Sequence, residues 1–170
     1  MKKKKELRKK AKDIRKTLNI ERISKDIIVK IENFELFQKA KKVMIFYPLE
    51  NEINLLALLK HSEKNFYLPR TINDGIEACP YKIEDKLSKG DFNVSVPMTD
   101  GINPEILDII FVPALMVDKE NYRLGYGKGF YDRFLNKTNA KTIVPISEKL
   151  IVDKLPIEEH DKKVDYIIFE

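Results

Sequence analysis

The residues best suited to chemistry lie in one run, Arg123-Leu124-Gly125-Tyr126-Gly127-Lys128-Gly129-Phe130-Tyr131-Asp132-Arg133. Glycine at 125, 127 and 129 removes side chains from three alternate positions, so backbone N–H groups there can approach an anion closely. A helix expected over 129–136 would aim its positive end at the same spot. Arg123, Lys128 and Arg133 add cations for phosphate oxygens. Asp132 stands among them, where a carboxylate and phosphate oxygens can share a hard divalent ion. The run is not a Walker A loop, which needs Ser or Thr after Gly-Lys and has Gly129 instead. Nor is it a dinucleotide fingerprint, because its spacing is G-x-G-x-G rather than G-x-G-x-x-G. A plain glycine-rich turn is the competing reading, and the surrounding Arg, Lys and Asp argue against it.

Elements that could position this loop are legible in the apolar pattern. Leu7, Ala11, Ile14 and Leu18 form one stripe of a helix. Asn19 offers a break and an N-cap, and Ile20, Ile23, Ile27, Ile31 and Phe34 draw a second helix ending near Gln38. The run 43–47, stopped by Pro48, and the run 108–112, stopped by Pro113, read as buried parallel strands. Residues 53–61 look helical. Further strands are expected at 65–68, 76–83, 142–146 and 164–169, and 85–105 reads as loops with a short strand at most. Strands alternating with helices predict an α/β fold, one domain with a largely parallel, open, Rossmann-like sheet flanked by helices. Ligands of such sheets lie beyond the carboxyl ends of the strands. Glu50-Asn51-Glu52, Arg70 and the glycine loop all follow predicted strands, which makes their convergence the first functional argument.

The net charge of +5 is a property of one segment. Residues 1–16 hold ten Lys and Arg against two acids, and the remainder is net −3. Cys79 is the only cysteine, which excludes an intramolecular disulfide and suits a reducing compartment. No apolar run approaches the roughly 18 residues of a membrane span. The amino-terminal lysines precede no signal-type apolar stretch, so a cytoplasmic location is expected.

The glycine segment RLGYGKGFYDRFL, preceded by DIIFVPALMVD, resembles the signature of 5-formyltetrahydrofolate cyclo-ligases, also called methenyltetrahydrofolate synthetases. Lys4-Lys5-Glu6-Leu7-Arg8, Phe46 to Ile53, Leu68-Pro69-Arg70 and Val164-Asp165 occur in that family's order, so the resemblance spans nearly the whole chain. It implies an ATP- and Mg²⁺-dependent conversion of 5-formyltetrahydrofolate to 5,10-methenyltetrahydrofolate. Lys4 and Arg8 would contact ATP phosphates; as i and i+4 on a helix they share a face. Arg123, Leu124, Gly125, Tyr126, Gly127, Lys128, Gly129, Phe130 and Tyr131 would cradle the triphosphate, with Arg123, Lys128 and Tyr131 as the catalytic members. Asp132 and Asp165 would hold Mg²⁺. Glu52 would bind the folate, with Tyr47 and the Tyr126, Gly127, Lys128, Gly129 and Phe130 segment lining the pocket. Tyr126 and Phe130 would either stack on the pterin or pack. One departure is Val96, where many bacterial members carry an acid before the proline matched by Pro97.

A monomer acting on 5-formyltetrahydrofolate and ATP, without nucleic acid or membrane, is the expectation. Two other functions fit parts of the pattern. A different ATP-dependent ligase or kinase could use the same loop, and the basic first helix could serve a nucleic-acid-binding module, although the net acidic remainder opposes that.

Overall fold

Strand residues of this chain alternate between two apolar faces, and that alternation sets the layers. The structure is a computed structural model that describes residues 2–91 and 94–170. On one face Val43, Ile45, Phe66, Leu68, Ile109, Phe111 and Ile143 pack against the helix α2 (Ile20–Glu32) and the short α3 (Glu35–Lys39). On the other, Met44, Tyr67, Ile110, Val112 and Val144 meet Ala11, Leu7 and Ile14 of α1 (Lys2–Arg15) and Phe134 of α4 (Phe130–Phe134).

Between these layers lie the strands β1 (Lys42–Met44), β2 (Asn65–Ile72), β3 (Gly75–Tyr81), β6 (Ile109–Phe111), β9 (Lys141–Pro145) and β11 (Tyr166–Ile168), in the spatial order β11-β9-β6-β1-β2-β3. All neighbours are parallel except the β2–β3 hairpin. The expected α/β architecture with a largely parallel sheet is therefore the observed one. Two smaller sheets were not expected. The strands β4 (Leu87–Lys89) and β5 (Ser95–Pro97) pair within the predicted loop region. A three-stranded sheet joins β7 (Met116–Asp118), β8 (Arg123–Leu124) and β10 (Ile151–Val152).

Other boundaries moved for identifiable reasons. The second helix stops at Glu32, because Asn33 turns its amide back onto the Val29 carbonyl and Phe34 is extended before α3 begins. Residues 56–60 form only a 3₁₀ turn, started by the Asn54 side chain accepting from Leu56 N–H. Strand β2 runs through Pro69 because β1 accompanies it only to Tyr67, so the missing amide faces no partner strand.

A buried lysine closes the α3 end. Lys64, 8% exposed, donates to the carbonyls of Phe37 (2.6 Å), Gln38 (3.2 Å) and Ala40 (2.6 Å). They lie at the carboxyl end of α3, where a helix leaves carbonyls short of partners, although the Phe37 carbonyl also accepts from Ala40 N–H. Lys64→Met should fold but lose about 1–3 kcal/mol, seen as a fall of a few degrees in thermal denaturation by circular dichroism. An unchanged midpoint would show that water caps the helix equally well.

Candidate active site

The first helix turns only part of its basic surface inward. Lys4, Leu7, Arg8, Ala11, Ile14 and Arg15 are buried or half-buried, while Lys2, Lys3, Lys5, Lys9, Lys10, Lys12 and Lys16 are exposed. The Nε of Arg8 donates to the Gly125 carbonyl at 2.9 Å, so Arg8 meets the glycine loop. Lys4 points to a different partner. Its Nζ lies 2.8 Å from Asp161 and 3.2 Å from Glu158. Burial opposes its charge, but these acids outweigh burial and raise its pKa. Nothing in the sequence spacing marked Asp161 or Glu158.

The glycine loop leaves β8 of the small sheet rather than β6 directly. It is nevertheless drawn to the carboxyl end of β6, because Arg123 donates to the Pro113 carbonyl at 3.3 Å and Leu115 N–H bonds the Leu124 carbonyl. Gly127 has φ +104° and Gly129 φ +69°, conformations that side chains resist. Gly129 caps α4, which at five residues is shorter than the predicted helix and has little dipole to offer. Positive charge at the loop comes instead from side chains. Arg123, 6% exposed, sits 3.3 Å from Asp132 and lies over the Tyr131 ring at 5.6 Å. Burial lowers its pKa and raises that of the Tyr131 phenol. Arg123 Nε and the Tyr131 hydroxyl are buried without a hydrogen-bond partner, an unusual demand in a native interior. Arg133 stacks on Phe130 at 5.6 Å and donates to the Asp74 carbonyl, tying the loop to the β2–β3 turn. Lys128 is exposed on the loop.

Glu52 follows β1 and is 5% exposed. Its Oε1 accepts from Leu49 N–H at 2.9 Å, and its Oε2 accepts from the Tyr126 hydroxyl at 2.5 Å. That hydroxyl accepts in turn from Arg15 Nη1 at 2.7 Å, while Arg15 Nη2 donates to the Ala114 carbonyl at 2.7 Å. Burial raises the Glu52 pKa, with Tyr126, Leu49 N–H and Arg15 pulling it back; burial and Glu52 together raise that of Tyr126. The chain from β1 passes outward to β2, and the chain from β6 passes the other way to β9 and β11. Glu52 and Ala114 thus bracket the point where strand order reverses, the usual ligand crevice of such sheets. The cavity beside Glu52, lined also by Arg15, Asn51, Ala114 and Ser147, holds only about 10 Å³. Tyr126, 37% exposed, meets Glu52 through its hydroxyl.

Not every expected residue joins this group. Tyr47 packs half-buried on the α2 side of the sheet near Tyr81. Arg70 is absorbed by the hairpin, bonding Glu77 at 2.6 Å and the Pro97 carbonyl at 3.0 Å, and Val96 is buried beside it. Asp165 stands at the amino end of β11, where its Oδ2 accepts from Thr142 N–H at 2.9 Å and Thr142 Oγ1 at 3.1 Å. Among the described residues no hydrogen bond or ion pair joins it to Asp132. Arg15 is the functional candidate that sequence reasoning missed, although a cation four residues after Ala11 on the apolar stripe was a visible signal.

Fold and site define an α/β enzyme with a cationic glycine loop at the switch point of a parallel sheet. A family profile described as the 5-formyltetrahydrofolate cyclo-ligase family matches residues 1–170. The chain belongs to that family. It is 28% identical over 153 residues to the mouse 5-formyltetrahydrofolate cyclo-ligase, covering 79% of this chain and 75% of that protein. The NMR structure of Aquifex aeolicus 5,10-methenyltetrahydrofolate synthetase superposes with a TM-score of 0.87 at 32% identity, covering 97% of this chain and 88% of that one. A Mycoplasma pneumoniae synthetase shares the fold, with a TM-score of 0.80 at 24% identity over 98% of both chains.

An alanine at 127 would meet the Arg8 guanidinium at 3.5–3.7 Å, ordinary contact, so its cost is conformational. Gly127→Ala should fold with a loss of about 1–3 kcal/mol and a displaced loop. Thermal denaturation and nucleotide titration check both, and a variant with unchanged stability and affinity would show that the loop relaxes freely.

Proposed function

We propose that this protein converts 5-formyltetrahydrofolate to 5,10-methenyltetrahydrofolate at the expense of ATP, and that the loop 123–133 with Arg8 and Lys4 binds the nucleotide. The observation that carries this reading is the juxtaposition of a phosphate-type loop and a buried carboxylate through Tyr126. The formyl oxygen attacks the γ-phosphorus and ADP departs. N10 then attacks the activated formyl carbon, the C–O bond breaks, phosphate leaves, and the N10 proton is released, which leaves the methenyl bridge between N5 and N10. A formamide oxygen is a poor leaving group and a phosphate a good one, so the protein's work is positioning and charge neutralisation.

Each group has a task in that scheme. Backbone N–H groups at Gly125, Gly127 and Gly129 approach phosphate oxygens, and Arg8, Arg123 and Lys128 offset their charge. The unpartnered Arg123 Nε and Tyr131 hydroxyl supply two donors with no other occupation. Lys4 reaches phosphate by exchanging Asp161 for it. Glu52 accepts from the donor edge of the pterin, with two of its four lone-pair sites still free. Asp132 fits a Mg²⁺ that arrives with the nucleotide, since that ion is commonly held by one or two carboxylates and phosphate oxygens. No group of three acidic, His or Cys ligands occurs among the described residues. Bound there, the ion would offset charge on the triphosphate. The clasp of Asp165 with Thr142 favours a strand-joining role for that residue, and Tyr47 lines the folate site only if the substrate extends to the α2 side. A cytoplasmic location fits the chemistry.

Methenyltetrahydrofolate absorbance should grow only when protein, Mg-ATP and the 5-formyl isomer are mixed together. Equal growth without ATP would refute the reading. In the same assay Asp132→Asn should fold normally and lose orders of magnitude in rate; near-normal turnover would remove it from the metal role.

Glu52→Gln should raise the KM for 5-formyltetrahydrofolate about tenfold or more, because an amide offers one acceptor and one mismatched donor. Nucleotide affinity should change less, as Glu52 reaches the nucleotide loop only through the Tyr126 hydroxyl. An unchanged folate KM would return Glu52 to a purely structural role.

A further inference from the structure

Arg15 is a cation on the apolar stripe of α1, 6% exposed and, among the described residues, with no carboxylate in direct contact. A guanidinium in such a place needs its donors satisfied, and two of them are committed with good geometry. One goes to the Ala114 carbonyl just after β6. The other goes to the Tyr126 hydroxyl, which in turn donates its O–H to Glu52. A phenol hydroxyl has one proton, so accepting from Arg15 orients it. With Arg15 on one side, the Tyr126 O–H can point only at Glu52.

We propose that Arg15 is a positioning residue that acts through the Tyr126 hydroxyl to hold Glu52 in the orientation that receives the substrate and to couple it to the glycine loop. The proposal rests on the reading of Glu52 as the folate carboxylate. Arg15 sits 5.7 Å from the Tyr126 ring centroid, so it grips the ring as well as the hydroxyl. The charged and titratable groups acting on Glu52 are Arg15 from α1, Tyr126 from the loop and Tyr131 from α4. Arg15 is the only cation in that set, and it favours the carboxylate form against burial. Its loss therefore moves protonation of Glu52 to higher pH. Because a protonated Glu52 cannot accept the same pair of donors, the acid limb of kcat/KM for folate moves up with it.

Two measurements on the whole protein test this. The first is a ¹³C NMR titration of the Glu52 carboxyl without substrate; the second is the pH profile of kcat/KM for 5-formyltetrahydrofolate. Arg15→Met should move both midpoints up by about half a pH unit or more. It should lower kcat/KM for folate roughly 10- to 100-fold, a larger change than in the KM for ATP. Arg15→Lys should restore the midpoints in large part by returning the charge. In a Tyr126→Phe background, Arg15→Met should lose its effect on folate KM, since the linking hydroxyl is gone. Unmoved midpoints in a folded Arg15→Met protein, or a fall in thermal stability alone, would overturn the proposal. Should Arg15→Met fail to fold, Tyr126→Phe decides. It cuts the same chain, and an unchanged folate kcat/KM there overturns the assignment while a loss of about tenfold supports it. An unchanged folate KM in Glu52→Gln would defeat the reading of Glu52. The NMR titration would still report whether Arg15 governs that carboxyl.

Discussion

A guanidinium almost sealed from water fixes the amino-terminal helix on the sheet. Taking such an ion out of water costs several kcal/mol unless its donors are filled. The Ala114 carbonyl and the Tyr126 hydroxyl fill two of them at 2.7 Å each. Rotating α1 by one residue, about 100°, would pull Arg15 off both and leave a buried charge without partners. The register of α1 is therefore set by polar bonding as much as by the small Ala11 and Ile14 contacts. Once it is set, Arg8 falls two turns back along the helix on Gly125, and Lys4 one turn further on Asp161. The cations of the site are thus placed together with Arg15, which shares their helix face and reaches the same loop at Tyr126.

The loop itself is assembled with donors in excess. Among the described residues, Arg8 bonds the Gly125 carbonyl through its Nε, and the buried Arg123 Nε and Tyr131 hydroxyl have no hydrogen-bond partner. Buried polar groups in low dielectric are costly when unsatisfied and strongly bonding when satisfied. A ligand rich in acceptor oxygens removes that cost, so part of its affinity is already stored in the free protein. The positive-φ glycines belong to the same logic, because they let the backbone turn without covering those donors.

Much of this was legible from residue types. The glycine loop, the i and i+4 placement of Arg8 with Lys4, the two parallel strands closed by Pro48 and Pro113, and the Asn19 cap all follow from local rules. What escaped depends on contacts between distant segments. Strands β7, β8 and β10 are two or three residues long, too short for a period to show, and they exist because they pair with one another. The Lys4–Asp161 ion pair spans 157 positions. Lys64 looks like any surface lysine until α3 ends above it. Arg15 alone was in view: four residues after Ala11, it lay on the stripe that had to be buried.

Tyr126 makes the two halves of the site one object. Its backbone belongs to the loop flanked by Gly125 and Gly127, and its hydroxyl belongs to Glu52. The cavity beside Glu52, about 10 Å³, is too small for a pterin as it stands. A ring system that hydrogen-bonds Glu52 competes with the Tyr126 hydroxyl for it, and Tyr126 yields most easily when the glycine backbone on either side turns with it. Glycine permits that turn at low steric cost, which a residue with a side chain at 125 or 127 would not. Linkage then runs both ways: whatever free energy a ligand at Glu52 spends on the loop, a ligand on the loop recovers or repeats at Glu52. In a fold where Arg15, Tyr126 and Glu52 form one hydrogen-bonded chain, the glycines that flank Tyr126 bear on the carboxylate as well as on the anion proposed for the loop.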